Sequence, residues 1–380
     1  MSNGASQHEV GRDEPDRARA RSAIARALGD LRRGAGVVLI DARGGEAVLV
    51  VAAEVADAAE DLFGRVGSAP CCVVPRARAA ALALNVADSP AVAIPCGGAA
   101  GAPLDTVLVR AVAGAEGPGP GPTGHPAGPA DALQRAAVEL VKLARLLPAA
   151  ITVSIPGDAA RFAEQEDLLA IDADWIAAYR ADAEGESVTL VTRAPVPLEG
   201  AENAEIFAFR PEDGGKEHLA IVIGEPRRDD AVLVRIHSEC FTGDLLGSLR
   251  CDCGEQLRGA IQTIAADGAG VLLYLAQEGR GIGLVNKLRA YRLQDEGFDT
   301  IDANERLGFE ADARAYRPAA TMLRALGINR VRLLTNNPAK VKGLCACGIE
   351  VVERVPHAFP ANAHNDRYLS TKAARAGHLL

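Results

Sequence analysis

Three cysteines, Cys240, Cys251 and Cys253, form a C-x10-C-x-C pattern inside RIHSECFTGDLLGSLRCDCGEQL. Thiolates are soft ligands that suit zinc, and a three-ligand zinc site keeps a fourth position for water or substrate. Water held there has a depressed pKa and is a usable nucleophile near neutral pH. Buried, inert cysteines are the alternative. Against it, Cys251 and Cys253 stand among Arg250, Asp252, Gly254 and Glu255, poor company for core packing. A closed structural site completed by Cys345 or Cys347 is a further alternative, although those two fall near a helix end, where side chains two apart diverge. Cys71, Cys72 and Cys96 sit among small or apolar residues and read as packing. His237 ends an apolar run and reads equally as a ligand-side or a hydrogen-bonded structural histidine.

Two further segments suit anions. In QEGRGIGLVNKLRAY, the three glycines of GRGIG stand at a strand-to-helix junction, where backbone can approach a phosphate and the helix N-terminus adds positive potential. Arg280 can grip phosphate in a fork geometry. The segment is neither a P-loop nor G-x-G-x-x-G, and structural use of such a turn is common. LLTNNPAK repeats the logic: Asn336 or Asn337 can cap a helix that has Pro338 in its first position, with Thr335 and Lys340 facing the opening. Two such turns plus Arg235 point to a polyphosphate. Asp312 and Arg314, in GFEADARAY, form an acid–arginine pair of the kind that usually lies on a surface.

These segments need a scaffold. A chain of 380 residues suggests two domains. AVLVRIH (231–237), GVLLYLA (270–276) and RVRLLT (330–335) read as strands separated by helical segments, and GVVLI (36–40) and AVLVVAAE (47–54) as strands nearer the N-terminus. Helices are expected over 18–33 and 131–147, with a loop or linker in the Gly/Pro-rich stretch 114–129. The pattern breaks near 181–203, where Pro195 and Pro197 fall close together. The expected class is α/β, with two domains that are each a mixed β-sheet with packed helices. The expected layout is a disordered tail over 1–20 and domains over 21–200 and 201–380.

Composition narrows the function. Against 50 Asp+Glu there are 41 Lys+Arg, a net charge of −9 that argues against a general nucleic-acid binder without excluding a phosphorylated substrate. The first residues carry acids and no apolar run, so neither a secretory signal nor a transit peptide is read there. No uncharged apolar run approaches the length of a membrane span. The expectation is a cytoplasmic protein that engages neither nucleic acid nor membrane.

RIHSECFTGDLLGSLRCDCGEQL, QEGRGIGLVNKLRAYRLQDEGFDT, LGFEADARAY and LLTNNPAK resemble the successive signature segments of GTP cyclohydrolase II, and NDRYLSTKAARAGHLL resembles that family's ending. The resemblance runs from about Ala204 to Leu380. It implies zinc-dependent opening of the guanine imidazole ring of GTP, releasing formate and pyrophosphate and giving 2,5-diamino-6-(5-phosphoribosylamino)pyrimidin-4(3H)-one, the first step of riboflavin biosynthesis. It implies Cys240, Cys251 and Cys253 as ligands of one zinc per chain, with GTP contacted by Arg235, Ile236, His237, Ser238, Glu239, Gln256, Glu278, Gly279, Arg280, Thr300, Thr335 and Lys340. Tyr291 matches an active-site tyrosine, Asp312 the proton acceptor and Arg314 the nucleophile toward the α-phosphate. Arginine has a pKa above about 12, so a phosphate-site role for Arg314 fits its chemistry better than attack. Magnesium on the triphosphate and a homodimer are implied too. Two other readings are a GTP-binding regulatory protein with structural zinc and a purine nucleotide hydrolase that completes only part of the reaction.

The N-terminal half resembles 3,4-dihydroxy-2-butanone 4-phosphate synthase, in AIARALGDLRRGAGVVLIDARGGEAVLVVAAE, AAVELVKLARLLPAAITVSI and LLAIDADWIAAYR. That family's acidic loop, D-D-E-D-R-E-N-E-G-D, binds magnesium. Here Asp41-Ala42-Arg43-Gly44-Gly45-Glu46-Ala47 is shorter and nearly stripped of acids, Ser154 stands where the late glutamate is expected, and the surroundings of His125 no longer match. A hard dication needs carboxylate oxygens, so the resemblance implies a retained fold without synthase activity.

Overall fold

The structure, a computed structural model, describes residues 13–84, 88–97, 104–114, 126–183, 188–212, 214–310 and 314–360. It divides into two compact units. The first comprises Met1–Ala181 with Asn304–Ala311, and the second Asp182–Ala303 with Asp312–Leu380.

The first unit opens with the helix Asp13–Arg32. This helix starts inside the stretch expected to be a disordered tail. Ala and Arg recur through 17–21, and these strong helix formers extend it; Pro15 lies in the first turn, where its missing N–H costs little. The remainder of the expected tail, 1–12, lies outside the described residues. Seven strands follow: β1 (Val37–Ile40), β2 (Ala47–Ala52), β3 (Cys71–Pro75), β4 (Ala91–Pro95), β5 (Gly128–Pro129), β6 (Ala150–Ser154) and β7 (Leu169–Asp172). They form one sheet in the order β5-β4-β3-β6-β2-β1-β7, in which β1 and β7 are parallel and the other pairs antiparallel. Every residue of β2 is buried, which its unbroken apolar run AVLVVA requires. Asp131 caps the helix Ala132–Leu143 by accepting from Gln134 N, and Gln134 answers with its side chain. Cys72 and Cys96 are buried in the core, as their apolar neighbours predict.

The second unit holds β8 (Val188–Pro195), β9 (Ala204–Pro211), β10 (His218–Ile223), β11 (Val232–Ser238), β12 (Gly270–Leu275), β13 (Arg330–Leu334) and β14 (Glu350–Val355). The sheet order is β14-β13-β11-β12-β10-β9-β8. Strands β14, β13, β11 and β12 run parallel, and β10, β9 and β8 continue the sheet antiparallel. Both units are therefore mixed sheets with helices, and the α/β class is met.

Alternation along β11 divides its side chains between the two faces. Val232, Val234 and Ile236 join a core with Met322 and Leu323 of the helix Arg317–Ala325, whereas Leu233 joins Ala260 and Ile264 of the helix Cys253–Asp267. Arg235 and His237 share Leu233's face of the strand and are both buried. A charged arginine and a histidine in the middle of a central strand contribute no packing that a valine would not, so their place there marks a site.

Because β11, β12 and β13 are parallel, their carboxyl ends, Ser238, Leu275 and Leu334, emerge at one edge of the sheet. Ligands of open α/β sheets gather at such an edge. The three loops that leave it carry EC…CDC, QEGRGIG and TNNPAK, the first continuing from RIHS at the end of β11.

Candidate metal and nucleotide site

The metal candidates converge. Cys240 leaves the end of β11, Cys251 lies in the following loop and Cys253 is the first residue of the helix Cys253–Asp267. Their three sulfurs lie within 4.8 Å of one another, the one such cluster among the described residues. Cys240 Sγ and Cys251 Sγ are 3.7 Å apart. Gly243 runs directly beneath: a Cβ there would fall 2.8 Å from Cys251 Sγ and 3.0 Å from Cys240 Sγ. A methyl group has no room at Gly243, and the three sulfurs beside it are close enough together that they could hold one small cation. Three thiols this close also share charge unequally. The thiols of Cys251 and Cys253, with Lys287, stabilise Cys240 as the thiolate, and that charge pushes the Cys251 thiol up to about 11. A divalent cation would let all three ionise together, and the helix N-terminus at Cys253 would favour that state. Cys345 and Cys347 take no part in the cluster.

Around the cradle stand buried polar groups, each held by a partner. Arg235 donates to Leu334 O (2.9 Å) and to Gln256 Oε1 (2.5 Å), and burial pushes its pKa down to about 10. Gln256 in turn donates to Asp252, between two metal candidates. Lys340 reaches back from the helix Pro338–Ala346 to donate to Ile236 O at 2.7 Å. Asn337 caps that helix by accepting from Ala339 N, and Thr335 Oγ1 accepts from Asn337 N, so TNNPAK forms the capped turn its sequence predicts. Ser238 ends β11 opposite Leu275, and Glu239 keeps one buried carboxylate oxygen, Oε2, without a hydrogen bond.

The glycine-rich turn after β12 is held by Glu278. Its carboxylate accepts from Phe241 N (2.7 Å), beside Cys240, and from Lys287 (2.7 Å). Gly279 and Arg280 both take left-handed backbone angles, with φ of 64° and 63°. For Arg280 that conformation is strained, and such strain concentrates where a loop must meet a ligand. Tyr291 contacts Thr242 Oγ1 through its hydroxyl (3.4 Å), and burial pushes its pKa up to about 12. Arg314 lies close enough to Arg235 to lower its pKa further. Thr300 opens the helix Thr300–Arg306 and accepts from Gln294 Nε2, a local contact that joins it to none of the groups above. Asp312 and His125, with the segment NDRYLSTKAARAGHLL, lie outside the described residues.

Several participants were not singled out in the sequence. Lys287 donates to Cys240 Sγ at 3.0 Å, and Asp244 accepts from Cys240 N at 2.9 Å. His357 holds the 256 region by contacting Gln256 O at 2.8 Å. A signal existed for Lys287: it precedes Tyr291 by four residues, which puts both on one helix face. Gly243, Asp244 and His357 carried no comparable spacing.

Fold and site together define an α/β protein with a cluster of three thiols that could hold a metal at the anion-suited edge of parallel strands. The GTP cyclohydrolase II family matches residues 189–356. GTP cyclohydrolase-2 of Azospirillum brasilense is 53% identical over 362 residues, covering 94% of each chain. Riboflavin biosynthesis protein RibBA of Bacillus cereus (strain AH187) is 47% identical over 258 residues, 64% of each chain. Among solved structures, RibBX of A. baumannii, a two-domain 3,4-dihydroxy-2-butanone 4-phosphate synthase, is similar at 20% identity and a TM-score of 0.35, over 88% of this chain and 99% of that one. The chain belongs to the GTP cyclohydrolase II family.

Proposed function

We propose that the second unit hydrolytically opens the imidazole ring of GTP, releasing formate and pyrophosphate and yielding the diaminopyrimidine that starts riboflavin biosynthesis. The observation that carries this reading is the three-thiol cradle at the same sheet edge as the buried cations Arg235 and Lys340. Cys240, Cys251 and Cys253 would hold zinc, which when bound supplies an acidic water for attack on the base. A shell of three thiolates makes zinc a weak Lewis acid, so neighbouring proton-handling groups matter; Tyr291 and Asp312 take that part. Arg235, Arg280, Lys340 and Arg314 offset phosphate charge, with magnesium on the triphosphate, and stabilise the departing pyrophosphate. Ile236, His237, Ser238, Glu239, Gln256, Glu278, Gly279, Thr300 and Thr335 shape the nucleotide site. The same reading takes the active species to be a cytoplasmic homodimer.

For the first unit, the reading is a synthase-like fold without synthase activity. The β1–β2 turn offers only Asp41 and Glu46 as carboxylates, and Asp41 is occupied in accepting from Arg43 N at 2.9 Å. Two carboxylates on a tight turn are a poor magnesium site when one of them already serves the turn. Turnover of ribulose 5-phosphate with magnesium, abolished by deleting residues 1–200, would overturn this part.

Product analysis tests the main reading. Zinc-loaded protein given GTP and magnesium is expected to release formate and pyrophosphate with the diaminopyrimidine, identified by mass spectrometry. Intact GTP from folded, metal-replete protein would sink the reading, and a formylated pyrimidine would mark a partial reaction.

A further inference from the structure

Asp244 lies in the turn Phe241–Leu245, and no spacing in the sequence drew attention to it. It is bound to Cys240 twice. Its backbone N–H donates to Cys240 O at 2.7 Å, and its carboxylate Oδ2 accepts from Cys240 N at 2.9 Å. The same carboxylate accepts from Tyr274 Oη of β12 at 3.0 Å and faces His237 Nε2 at 3.0 and 3.2 Å. The side chains of His237 and Asp244 are only 3% and 7% exposed. The Tyr274 ring stacks on the imidazole with a centroid separation of 5.7 Å, a second contact beside the Nε2–Asp244 pair that sets the ring's orientation.

A carboxylate only accepts, so the proton of a neutral imidazole facing it lies on Nε2, and Nδ1 is left with a lone pair. That lone pair is buried and has no hydrogen-bond partner. An unsatisfied buried acceptor is unfavourable, and a ligand that brings the donor removes that penalty. Burial lowers the pKa of His237, and Asp244 only partly opposes it; the nearby cations Arg235 and Lys340 disfavour a second proton as well.

We propose that Asp244 is a positioning residue that fixes the proton of His237 on Nε2, so that Nδ1 accepts a hydrogen bond from an N–H or O–H group of the nucleotide. The proposal rests on the GTP-site reading above and adds to it which atom of His237 meets the substrate, and what aims it. Its consequence is selectivity: a nucleotide without that donor leaves Nδ1 unpaired.

The test begins with the wild-type, zinc-loaded protein. Long-range proton–nitrogen spectra of 15N-histidine-labelled chain, with His237 assigned by its loss in His237→Gln, are expected to show the proton on Nε2. A proton on Nδ1 would overturn the proposal without any Asp244 variant. In Asp244→Asn the carboxamide can donate to Nε2 and move the proton to Nδ1. KM for GTP is then expected to rise about 10-fold, the scale of one lost hydrogen bond, with zinc still at one per chain. If Asp244→Asn loses zinc in step with activity, or keeps the wild-type KM, Asp244 serves only Cys240 or only the fold, and the proposal falls. If the wild type shows the Nε2 proton yet consumes no GTP, the cyclohydrolase reading fails while the tautomer assignment stands.

Discussion

Lys287 Nζ lies 3.0 Å from Cys240 Sγ, which places a buried ammonium against a candidate metal ligand. The same ammonium pairs with Glu278 at 2.7 Å, and Glu278 accepts from Phe241 N next to Cys240. One cation thereby joins the metal cradle to the glycine-rich turn. Burial works against the charge of Lys287, but Glu278 and Cys240 outweigh it and hold the lysine above its ordinary range.

Breaking that pair from one side strands a buried carboxylate. Lys287→Met is expected to destabilise the protein by about 3 kcal/mol, the scale for a buried ion pair that loses one partner. Urea unfolding measures it. Glu278→Gln added to Lys287→Met removes the stranded charge while keeping an acceptor for Phe241 N, and most of the stability is expected to return. Unchanged stability in the single variant would mean that the pair is solvated and does not organise the turn.

Cys251→Ser tests the cradle itself. A hydroxyl is a harder and far less acidic ligand than a thiol, so zinc stoichiometry measured by elemental analysis is expected to fall well below one per chain, with GTP turnover lost in proportion. Full turnover in the variant would remove zinc from the chemistry.

Much of this arrangement was legible in the chain. The runs AVLVRIH, GVLLYLA and RVRLLT read as strands because they are short, rich in Val, Ile and Leu and separated by helical segments, and β11, β12 and β13 lie within a residue of those limits. The C-x10-C-x-C spacing and the Asn-Pro cap were visible because their chemistry is local. What stayed hidden depends on contacts between distant segments. Lys287 and Cys240 are 47 positions apart, and His357 and Gln256 are 101 apart. Nothing local distinguishes Gly243 from an ordinary turn glycine; its importance comes from two sulfurs that the fold brings over it. The helix start differs for another reason: charge and lack of apolar residues suggest disorder up to residue 20, while intrinsic helix propensity extends the first helix back to Asp13.

Gly243→Ala turns the cradle geometry into an experiment. The added methyl group would meet Cys251 Sγ at 2.8 Å and Cys253 Cβ at 2.9 Å, so the sulfurs must spread to admit it. Zinc affinity, read by competition with a chromophoric chelator, is expected to fall at least about 10-fold, equivalent to 1.4 kcal/mol. The sheet and its cores are untouched, so the metal-free variant is expected to keep the wild-type fold, read by circular dichroism, with the strain confined to the cradle. Equal zinc affinity in the two proteins would show that the three thiols do not close on one ion.

His357 supplies a pH dependence. Its ring is buried, contacts Gln256 O through Nε2, and has its pKa pushed down to about 4 by burial, with Arg235 adding to the effect. A histidine kept neutral in the native state stabilises it above the unfolded value of about 6.5. As pH falls the unfolded chain takes up a proton that the folded one refuses, so stability is lost between about 6.5 and about 4 and then levels off. His357→Gln cannot titrate and retains a donor for the Gln256 carbonyl. Urea midpoints measured from pH 7 to pH 4 are therefore expected to fall more steeply for wild type than for the variant, the gap opening below pH 6.5. Parallel curves would mean that His357 takes up its proton equally in both states, and that its contact with Gln256 does not need the neutral ring.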